Sequence, residues 1–428
     1  MGFLNLKGQI MYKIERVDIN GFWHRFDVSC DFNEDVNIII GRNGTGKTTF
    51  MNILHAILTV DPIGLVENDF EIARIILKND SKQVKTIVVK KIEDEHFNFP
   101  IIEYQISNKK YRFRLINLDD RRISQVQRRR LSEESVEVRN EMFGLTSVSS
   151  LSVYRLRNDD EYEVRDRHGA IFLSPVDYRL SQALTGLTEF QLALAEEAQV
   201  VAKELQKNVL ASILYSEEDA KQKGLTLSFD KEDEQQRLIS AYEQLSSYDA
   251  TIRKKIKFHV TSIAETMDEI KSDKSKKNID IKSLEAWRKT SKIIELSLSA
   301  KDQTQSIYSQ VNLFLEIIQN FIPDKKFSFI SGRLIIENNL GVIEHSKLSS
   351  GEKQLIILMI EALLQKGNKH IFMADEPELS LHIAWQRQII PAIRKINPNS
   401  QIIVATHSPE VASRYKESIF DMEKLINA

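Results

Sequence analysis

Cysteine is almost absent from this sequence of 428 residues, in which Cys30 is the single thiol. One cysteine cannot form a disulfide within the chain, which excludes a disulfide-stabilised scaffold and fits a reducing compartment. We therefore expect a cytoplasmic protein in which Cys30 is a small buried apolar side chain rather than a reactive group.

Long hydrophobic runs are also missing. The most apolar stretch, Leu355–Leu364, contains Glu361 and is shorter than the roughly 20 residues that a membrane-spanning helix needs. The first ten residues, MGFLNLKGQI, have neither a long apolar core nor a small-residue cleavage site, so no secretory leader is expected. Met11 begins the first patterned segment and is a second candidate start. We expect no membrane association.

Neither sign of charge dominates, because 59 Lys and Arg balance 61 Asp and Glu for a net charge of −2. This balance does not indicate a general attraction to nucleic acid. The segment from Lys109 to Arg130 is a local exception, with nine basic residues against two aspartates and with Tyr111 and Phe113 among them. Such a patch could neutralise backbone phosphates, although a solvated charged face is the more frequent reason for such a run.

The middle of the chain has no proline between Pro175 and Pro323 and little glycine. Leu, Ala, Glu, Lys and Gln dominate there, and these residues favour helices. This composition predicts a helical insertion over 185–322, between sheet-forming halves at 11–184 and 323–428. No heptad pattern is sustained over many turns, which argues against a long coiled coil.

The first motif follows a β-branched run, Val36–Ile40, which is typical of a buried parallel strand. The segment Gly41–Thr48 then fits G-x-x-x-x-G-K-[ST], and an apolar helical pattern follows it. In such a loop, backbone N–H groups and the helix N-terminus face phosphate, the lysine reaches the β- and γ-phosphates, and the hydroxyl binds Mg²⁺. We predict an ATP site formed by Gly41, Arg42, Asn43, Gly44, Thr45, Gly46, Lys47, Thr48 and Thr49.

The second motif is an apolar strand, Ile371–Ala374, that ends in Asp375 and Glu376. One carboxylate at a strand end can hold Mg²⁺, and a second beside it can polarise the attacking water. We assign Asp375 to the metal and Glu376 to the general base. A helix is expected next, over roughly 380–396.

Two further segments give weaker evidence of function when each is taken alone. Leu348–Glu352 reads LSSGE at a predicted helix start, where Ser349 and the N–H groups near Gly351 could bind an anion or form an ordinary N-cap. His407 follows the predicted strand 401–405, where an imidazole can reach a γ-phosphate.

In this order, the four motifs resemble those of ABC-class ATPases of the SMC and OLD-like type. LSSGE resembles the signature LSGGQ, with Ser350 in place of the first glycine; Asp375–His382 resembles the Walker B segment and D-loop, and Thr406–Ser408 the switch-histidine segment. The resemblance implies an α/β, ABC-type P-loop core built from both chain ends, with an inserted helical lobe. It also implies catalytic roles for Lys47, Glu376 and His407.

The same resemblance implies a composite site that uses ATP and Mg²⁺. A homodimer or higher homo-oligomer would form through ATP-bridged heads, with Ser349 and Gly351 of one subunit closing over ATP bound to the other. The class also places a glutamine near the metal, for which Gln182 is the candidate and Gln191 the alternative.

The long insertion argues against a transporter subunit, and a nuclease domain of the OLD type would follow His407, whereas the sequence ends at Ala428. This architecture resembles the ATPase subunits of two-gene anti-phage systems, PtuA of Septu and AriA of PARIS. We therefore predict a sensor or scaffold ATPase that controls a separately encoded effector nuclease. The alternatives are a RecF- or SMC-like DNA clamp in repair or maintenance, and an interaction protein with an inactive site. The intact motifs argue against the last.

Overall fold

A computed structural model describes residues 11–92, 101–114, 125–151, 162–166, 169–213, 229–244, 249–271 and 281–427. Its strands are β1 (Lys13–Phe22), β2 (Phe26–Asp31), β3 (Val36–Ile40), β4 (Ile72–Lys78), β5 (Val84–Ile92), β6 (Ile101–Ile106), β7 (Lys109–Arg114), β8 (Val148–Leu151), β9 (Tyr162–Asp166), β10 (Gly169–Leu173), β11 (Lys326–Ile330), β12 (Arg333–Asn338), β13 (Gly341–Val342), β14 (His370–Asp375), β15 (Ser400–Ala405), β16 (Ile419–Asp421) and β17 (Ile426–Asn427).

The helices are α1 (Lys47–Thr59), α2 (Pro62–Glu67), α3 (Gln125–Leu145), α4 (Pro175–Ile213), α5 (Lys231–Gln244), α6 (Ala250–Lys271), α7 (Ile281–Phe321), α8 (Ser350–Leu364), α9 (Ile383–Gln386), α10 (Ile389–Ile396), α11 (Pro409–Ala412) and α12 (Met422–Leu425). In the parts of the chain described above, no helix is both long enough and apolar enough to cross a membrane.

A parallel sheet of five strands, in the order β16-β3-β15-β14-β8, contains strands from both chain ends. All residues of β14 and β15 are buried, which explains the apolar runs 371–374 and 402–405 within them. The predicted α/β class, with a core assembled from both ends of the chain, is confirmed.

A second sheet is antiparallel and has seven strands, in the order β17-β2-β1-β4-β5-β6-β7. One hydrophobic cluster contains buried side chains from both sheets and from α1, including Phe50, Ile53 and Ile57. Because α1 is buried among strands of both sheets, the phosphate loop at its start is held by the main core.

A buried polar side chain, Gln401, also joins the two sheets by hydrogen bonds. Gln401 of β15 accepts a hydrogen bond from the Ile14 N–H at 2.8 Å and donates to the carbonyl oxygens of Ile14 and Asn33 at 2.7 and 2.8 Å. The pairing of β1 with β4 shifts register at Ile14, so Gln401 satisfies backbone groups where the ladder is interrupted.

The chain divides into two compact units, Met1–Thr188 with Leu313–Ala428, and Glu189–Asn312. The second unit lies within the range of the predicted insertion, and every regular element described in it is helical. It has its own small apolar clusters, one around Leu238, Val260 and Ile294 and another around Ile263 and Leu284.

The prediction of one helix over roughly 380–396 is wrong. The structure has two helices there, α9 and α10, separated at Arg387 and Gln388. Pro391 has no N–H to donate, and its ring would clash with the carbonyl of residue 387 in a continuous helix. A new helix start at Ile389 puts Pro391 in the first turn, where its missing N–H costs nothing.

Candidate ATP site at the ends of three parallel strands

Three adjacent strands of the parallel sheet end at one place. Register pairs Ile39 of β3 with Ala405 of β15, and Ala405 with Asp375 of β14. The loops that follow these strands contain the phosphate loop, the carboxylate pair and His407, so residues far apart in sequence meet at one sheet edge.

The phosphate loop has the backbone conformation that its glycines allow. Gly44 and Gly46 have φ angles of +81° and +92°, and Gly46 also precedes α1 without any side-chain cap. A Cβ on Gly46 would lie 2.8 Å from the Phe22 ring. Only glycine fits there, and the N–H groups at the start of α1 stay available for an anion.

A cavity of about 810 Å³ lies at this loop. Its lining includes Asn43, Gly44, Gly46, Lys47, Thr48, Thr49, Glu376 and His407. Gly41 and Arg42 line a neighbouring cavity that His407 also borders, and Thr45 Oγ1 donates to the Arg42 carbonyl.

Lys47 is 5 % exposed and points back into the loop. Its ammonium group donates to the carbonyl oxygens of Gly41 and Arg42 at 2.9 and 3.1 Å and lies 2.8 Å from Nε2 of His407. Burial lowers the pKa of Lys47, while the carboxylates of Glu376, Asp375 and Glu378 oppose that shift. The ammonium is therefore held inside the loop by acceptors that a phosphate oxygen can replace.

Thr48 and Asp375 supply the oxygen ligands that Mg²⁺ prefers. The Thr48 hydroxyl donates to Oδ2 of the buried Asp375 at 2.8 Å. Within the described ranges, no group of three or more His, Cys, Asp or Glu could hold a metal ion by itself. A metal here would take one or two protein oxygens and complete its shell with phosphate and water, as Mg²⁺ usually does.

Glu376 and His407 face each other beside the lysine. Oε1 of Glu376 lies 3.7 Å from Nε2 of His407, and the Glu376 backbone has a left-handed φ of +49°. Such a φ is costly for a residue with a Cβ and persists only where surrounding contacts impose it. One of these contacts is the hydrogen bond from the Glu376 N–H to the Ala405 carbonyl, at 2.8 Å.

Two residues at this site were missed by sequence reasoning. Trp23, in the turn between β1 and β2, lines the same cavity, and no motif signals it. Glu378 is buried behind the cavity and accepts hydrogen bonds from the segment around His407. The one sequence feature that could have indicated Glu378 is its place in the Asp375–His382 segment, two residues after Glu376.

Ser349 and Gly351 lie at the start of α8, where Ser349 is the N-cap of a capping box with Glu352. Lys325 donates to the same glutamate at 2.6 Å. Among the described residues that line the cavity at the phosphate loop, neither Ser349 nor Gly351 is present.

The candidate glutamines also lie apart from that lining. Gln182 is exposed on α4, and Gln191 is buried within the second unit. The assignment of a glutamine to the metal stays a prediction.

The basic segment 109–130 is only partly described, since 115–124 and the side chains of 125–134 lie outside the described residues. In the described part, Lys109 bonds to Glu141, while Lys110 and Arg112 pair with Glu103. Acidic neighbours therefore already compensate much of the charge of β7.

Comparison with known proteins adds a curated relative and solved structures. The "Retron Ec83 probable ATPase" of Escherichia coli is 31 % identical over 133 residues, which cover 26 % of this chain and about a quarter (24 %) of that protein. An SMC head domain from Pyrococcus furiosus aligns with a TM-score of 0.43 and 13 % identity, covering 94 % of this chain and 92 % of that one. The SMC head domain from Thermotoga maritima aligns with a TM-score of 0.37 and 11 % identity, covering 94 % of this chain and 91 % of that one.

A protein-family model also matches most of the chain, over residues 36–413, from β3 to just beyond α11. The match includes the phosphate loop, the carboxylate pair, the start of α8 and His407. The chain therefore belongs to the family described as "AAA domain, putative AbiEii toxin, Type IV TA system".

Proposed function

We propose that this protein is a Mg²⁺-dependent ATPase. The observation that carries the proposal is the meeting of five side chains at the ends of three neighbouring strands. Lys47, Thr48, Glu376 and His407 line one cavity, and Asp375 is hydrogen-bonded to Thr48 beside it. The phosphate loop binds the triphosphate, and Lys47 exchanges its loop carbonyls for phosphate oxygens. Thr48 and Asp375 would hold Mg²⁺ together with water, and the ion would neutralise charge on the phosphates.

Hydrolysis then depends on positioning and charge stabilisation rather than covalent chemistry. Glu376 orients the attacking water and accepts its proton, because its carboxylate lies at the mouth of the cavity beside His407. His407 contacts both Lys47 and Glu376, so its ring is placed to stabilise the transferred phosphoryl group.

The proposal is tested with purified protein, ATP and Mg²⁺. Lys47→Ala should abolish nucleotide binding, whereas Glu376→Gln should retain binding and lower the hydrolysis rate by at least about 100-fold, the lower range for loss of a general base. Lys90→Ala and Glu417→Gln change exposed residues away from the cavity and should behave as wild type. A wild-type rate in Glu376→Gln would contradict the proposed base.

We further propose that ATP turnover controls a separately encoded effector, with a nuclease in an anti-phage system of the PtuA or AriA type as the expected partner. The family description and the similarity to a retron ATPase support this role. Tagged Glu376→Gln, isolated from the native host, should retain the partner in the ATP-bound state. A nuclease in fixed stoichiometry would support the proposal.

A DNA clamp is the alternative, and the acid-paired strand β7 gives it little support. The same isolation distinguishes the two roles. DNA that co-purifies without a protein partner and is released by salt would favour the clamp, as would ATPase activity that depends on DNA and is lost on charge reversal at residues 128–130.

A further inference from the structure

A buried carboxylate holds the backbone at His407. Glu378 is 8 % exposed and follows β14 by three residues. Its Oε1 accepts three hydrogen bonds, from the Thr406 hydroxyl at 2.5 Å, from the His407 N–H at 3.0 Å and from the Ser408 N–H at 3.2 Å. One oxygen atom therefore fixes three consecutive residues.

These donors lie where the chain leaves the sheet, so the contact with Glu378 fixes the path of the chain at that point. Thr406 is fully buried and its N–H bonds to the Ile39 carbonyl of β3, so the segment leaves the sheet at a fixed point. The next two residues, His407 and Ser408, are beyond the strand, and their N–H groups donate to Glu378. Hydrogen bonds to an ionised carboxylate are about twice as strong as neutral ones, and burial makes their loss costly.

The held segment carries the His407 ring into the site. Its Nε2 lies 2.8 Å from Lys47 Nζ and 3.7 Å from a carboxylate oxygen of Glu376. Glu378 does not line the cavity at the phosphate loop. Its hydrogen bonds reach the site through residues 406–408, and its charge also opposes the lowering of the Lys47 pKa by burial.

The loop that bears Glu378 also packs against the start of α8. A Cβ on Gly351 would lie 2.4 Å from the Ser380 carbonyl oxygen, and Gln354 donates to the Pro377 carbonyl at 3.4 Å. Glu378 therefore lies between the start of α8 and the His407 segment, on a loop that contacts both.

We propose that Glu378 is a positioning residue that fixes the His407 ring against Lys47 and Glu376 through its hydrogen bonds to residues 406–408. This role rests on the proposed ATPase function. Since Glu378 is not among the residues that line the cavity at the phosphate loop, its loss should lower the rate of the chemical step much more than the affinity for nucleotide.

The kinetic test uses Glu378→Ala and Glu378→Gln. We expect kcat to fall by about 10- to 100-fold in Glu378→Ala, as for misplacement by about 1 Å, with KM for ATP changed less than about twofold. Glu378→Gln keeps an acceptor oxygen and should recover part of the rate. Glu417→Gln, at an exposed glutamate, is the matched control.

Thr406→Val supplies an independent variant, because it keeps the side-chain shape but removes the hydroxyl that donates to Glu378 and that also accepts from the Ser408 N–H at 2.9 Å. It should lower kcat less than Glu378→Ala, and the double variant should be no slower than Glu378→Ala alone, because the two act through one contact. Additive losses, or a parallel loss of nucleotide affinity, would overturn the positioning role.

Hydrogen–deuterium exchange separates this inference from the ATPase proposal. The N–H groups of His407 and Ser408 should exchange faster in Glu378→Ala than in wild type, while peptides from α1 stay unchanged. Unchanged exchange at residues 407 and 408 would overturn the anchoring contact even if the wild type is active. If exchange is faster in Glu378→Ala and the wild-type chain hydrolyses no ATP, the contact is supported and the ATPase proposal alone is refuted.

Discussion

At the scale of single residues, neighbouring acids in one short run acquire different tasks from their surroundings. Asp375 ends a buried strand and meets the Thr48 hydroxyl. Glu376, one residue on, turns at a left-handed φ and reaches the cavity. Glu378 turns inward and binds backbone N–H groups. The sequence DEPE alone does not distinguish these roles, because each depends on where the backbone directs the side chain.

His370 is the residue with the clearest expected dependence on pH. Its ring is buried in β14, and its two nitrogens lie 2.9 and 2.7 Å from the hydroxyls of Ser147 and Ser149. Burial lowers the pKa of His370 from 6.5 to about 3. In the folded protein the ring therefore stays neutral across the mildly acidic range.

This burial should make unfolding easier in acid. Between pH 6.5 and about 3 the unfolded chain binds a proton at His370 that the folded chain does not bind, so the free energy of unfolding falls as pH falls through this window. One such proton contributes a slope of up to about 1.4 kcal/mol per pH unit. When urea unfolding is measured from neutral pH to about pH 5, the free energy of unfolding should fall less steeply with falling pH in His370→Gln than in wild type. An equal slope would contradict the prediction, and the exposed His24→Gln is the control.

At the scale of elements, the start of α8 is defined by close contact with the loop after β14. Gly351 is buried against the Ser380 carbonyl, so an added Cβ would clash there although alanine favours helices more than glycine does. A larger residue must displace the loop that carries both Glu376 and Glu378.

Gly351→Ala should therefore lower the free energy of unfolding by about 1–3 kcal/mol, the usual range for overpacking, despite the gain in helix propensity. Gly186→Ala is the matched comparison, since Gly186 also lies in a helix but its added Cβ would meet only a terminal methyl group of Leu364, at 3.0 Å. We expect that variant to be neutral or more stable in urea unfolding. If the two variants behave alike, the close approach at Ser380 is not what constrains Gly351.

At the scale of the whole molecule, one buried polar side chain connects the two large sheets. Gln401 is fully buried and bonds across to Ile14 and Asn33. Gln401→Leu would leave the Ile14 N–H and carbonyl without this partner inside the protein, at about 1–3 kcal/mol for each unsatisfied group. The Asn33 carbonyl keeps the Asn37 amide as a donor. Urea unfolding should report a loss of at least about 2 kcal/mol. Gln388→Leu, at an exposed site, should change little, and an equal effect of both variants would refute the role of the buried contact.

Assembly is the second property of the whole molecule that can be measured. Ser349 and Gly351 are not among the described residues that line the cavity at the phosphate loop, as expected if they complete the site of a second copy. Light scattering of Glu376→Gln should then show one chain without nucleotide and two with ATP and Mg²⁺. Ser349→Arg should prevent the change while nucleotide binding is kept. A mass of one chain in saturating ATP would contradict the shared site.

Much of this architecture could be predicted from local sequence. Apolar β-branched runs indicated the buried strands β3, β14 and β15, because a strand covered on both faces needs apolar side chains throughout. The G-x-x-x-x-G-K-[ST] pattern indicated the phosphate loop, because its left-handed φ angles and close packing on Phe22 require glycine. Scarce proline and abundant helix formers indicated the helical segment that separates the two sheet-forming halves of the sequence.

Other features were decided only by tertiary structure. The contact of Glu378 with residues 406–408 depends on β14 and β15, which are separate in sequence and adjacent in the sheet. The place of Trp23 at the cavity depends on the packing of the turn between β1 and β2 against the phosphate loop. A local pattern reports what a residue needs from its own backbone and from burial. It does not report which distant donor a buried carboxylate will meet, because that depends on the order and register of the strands.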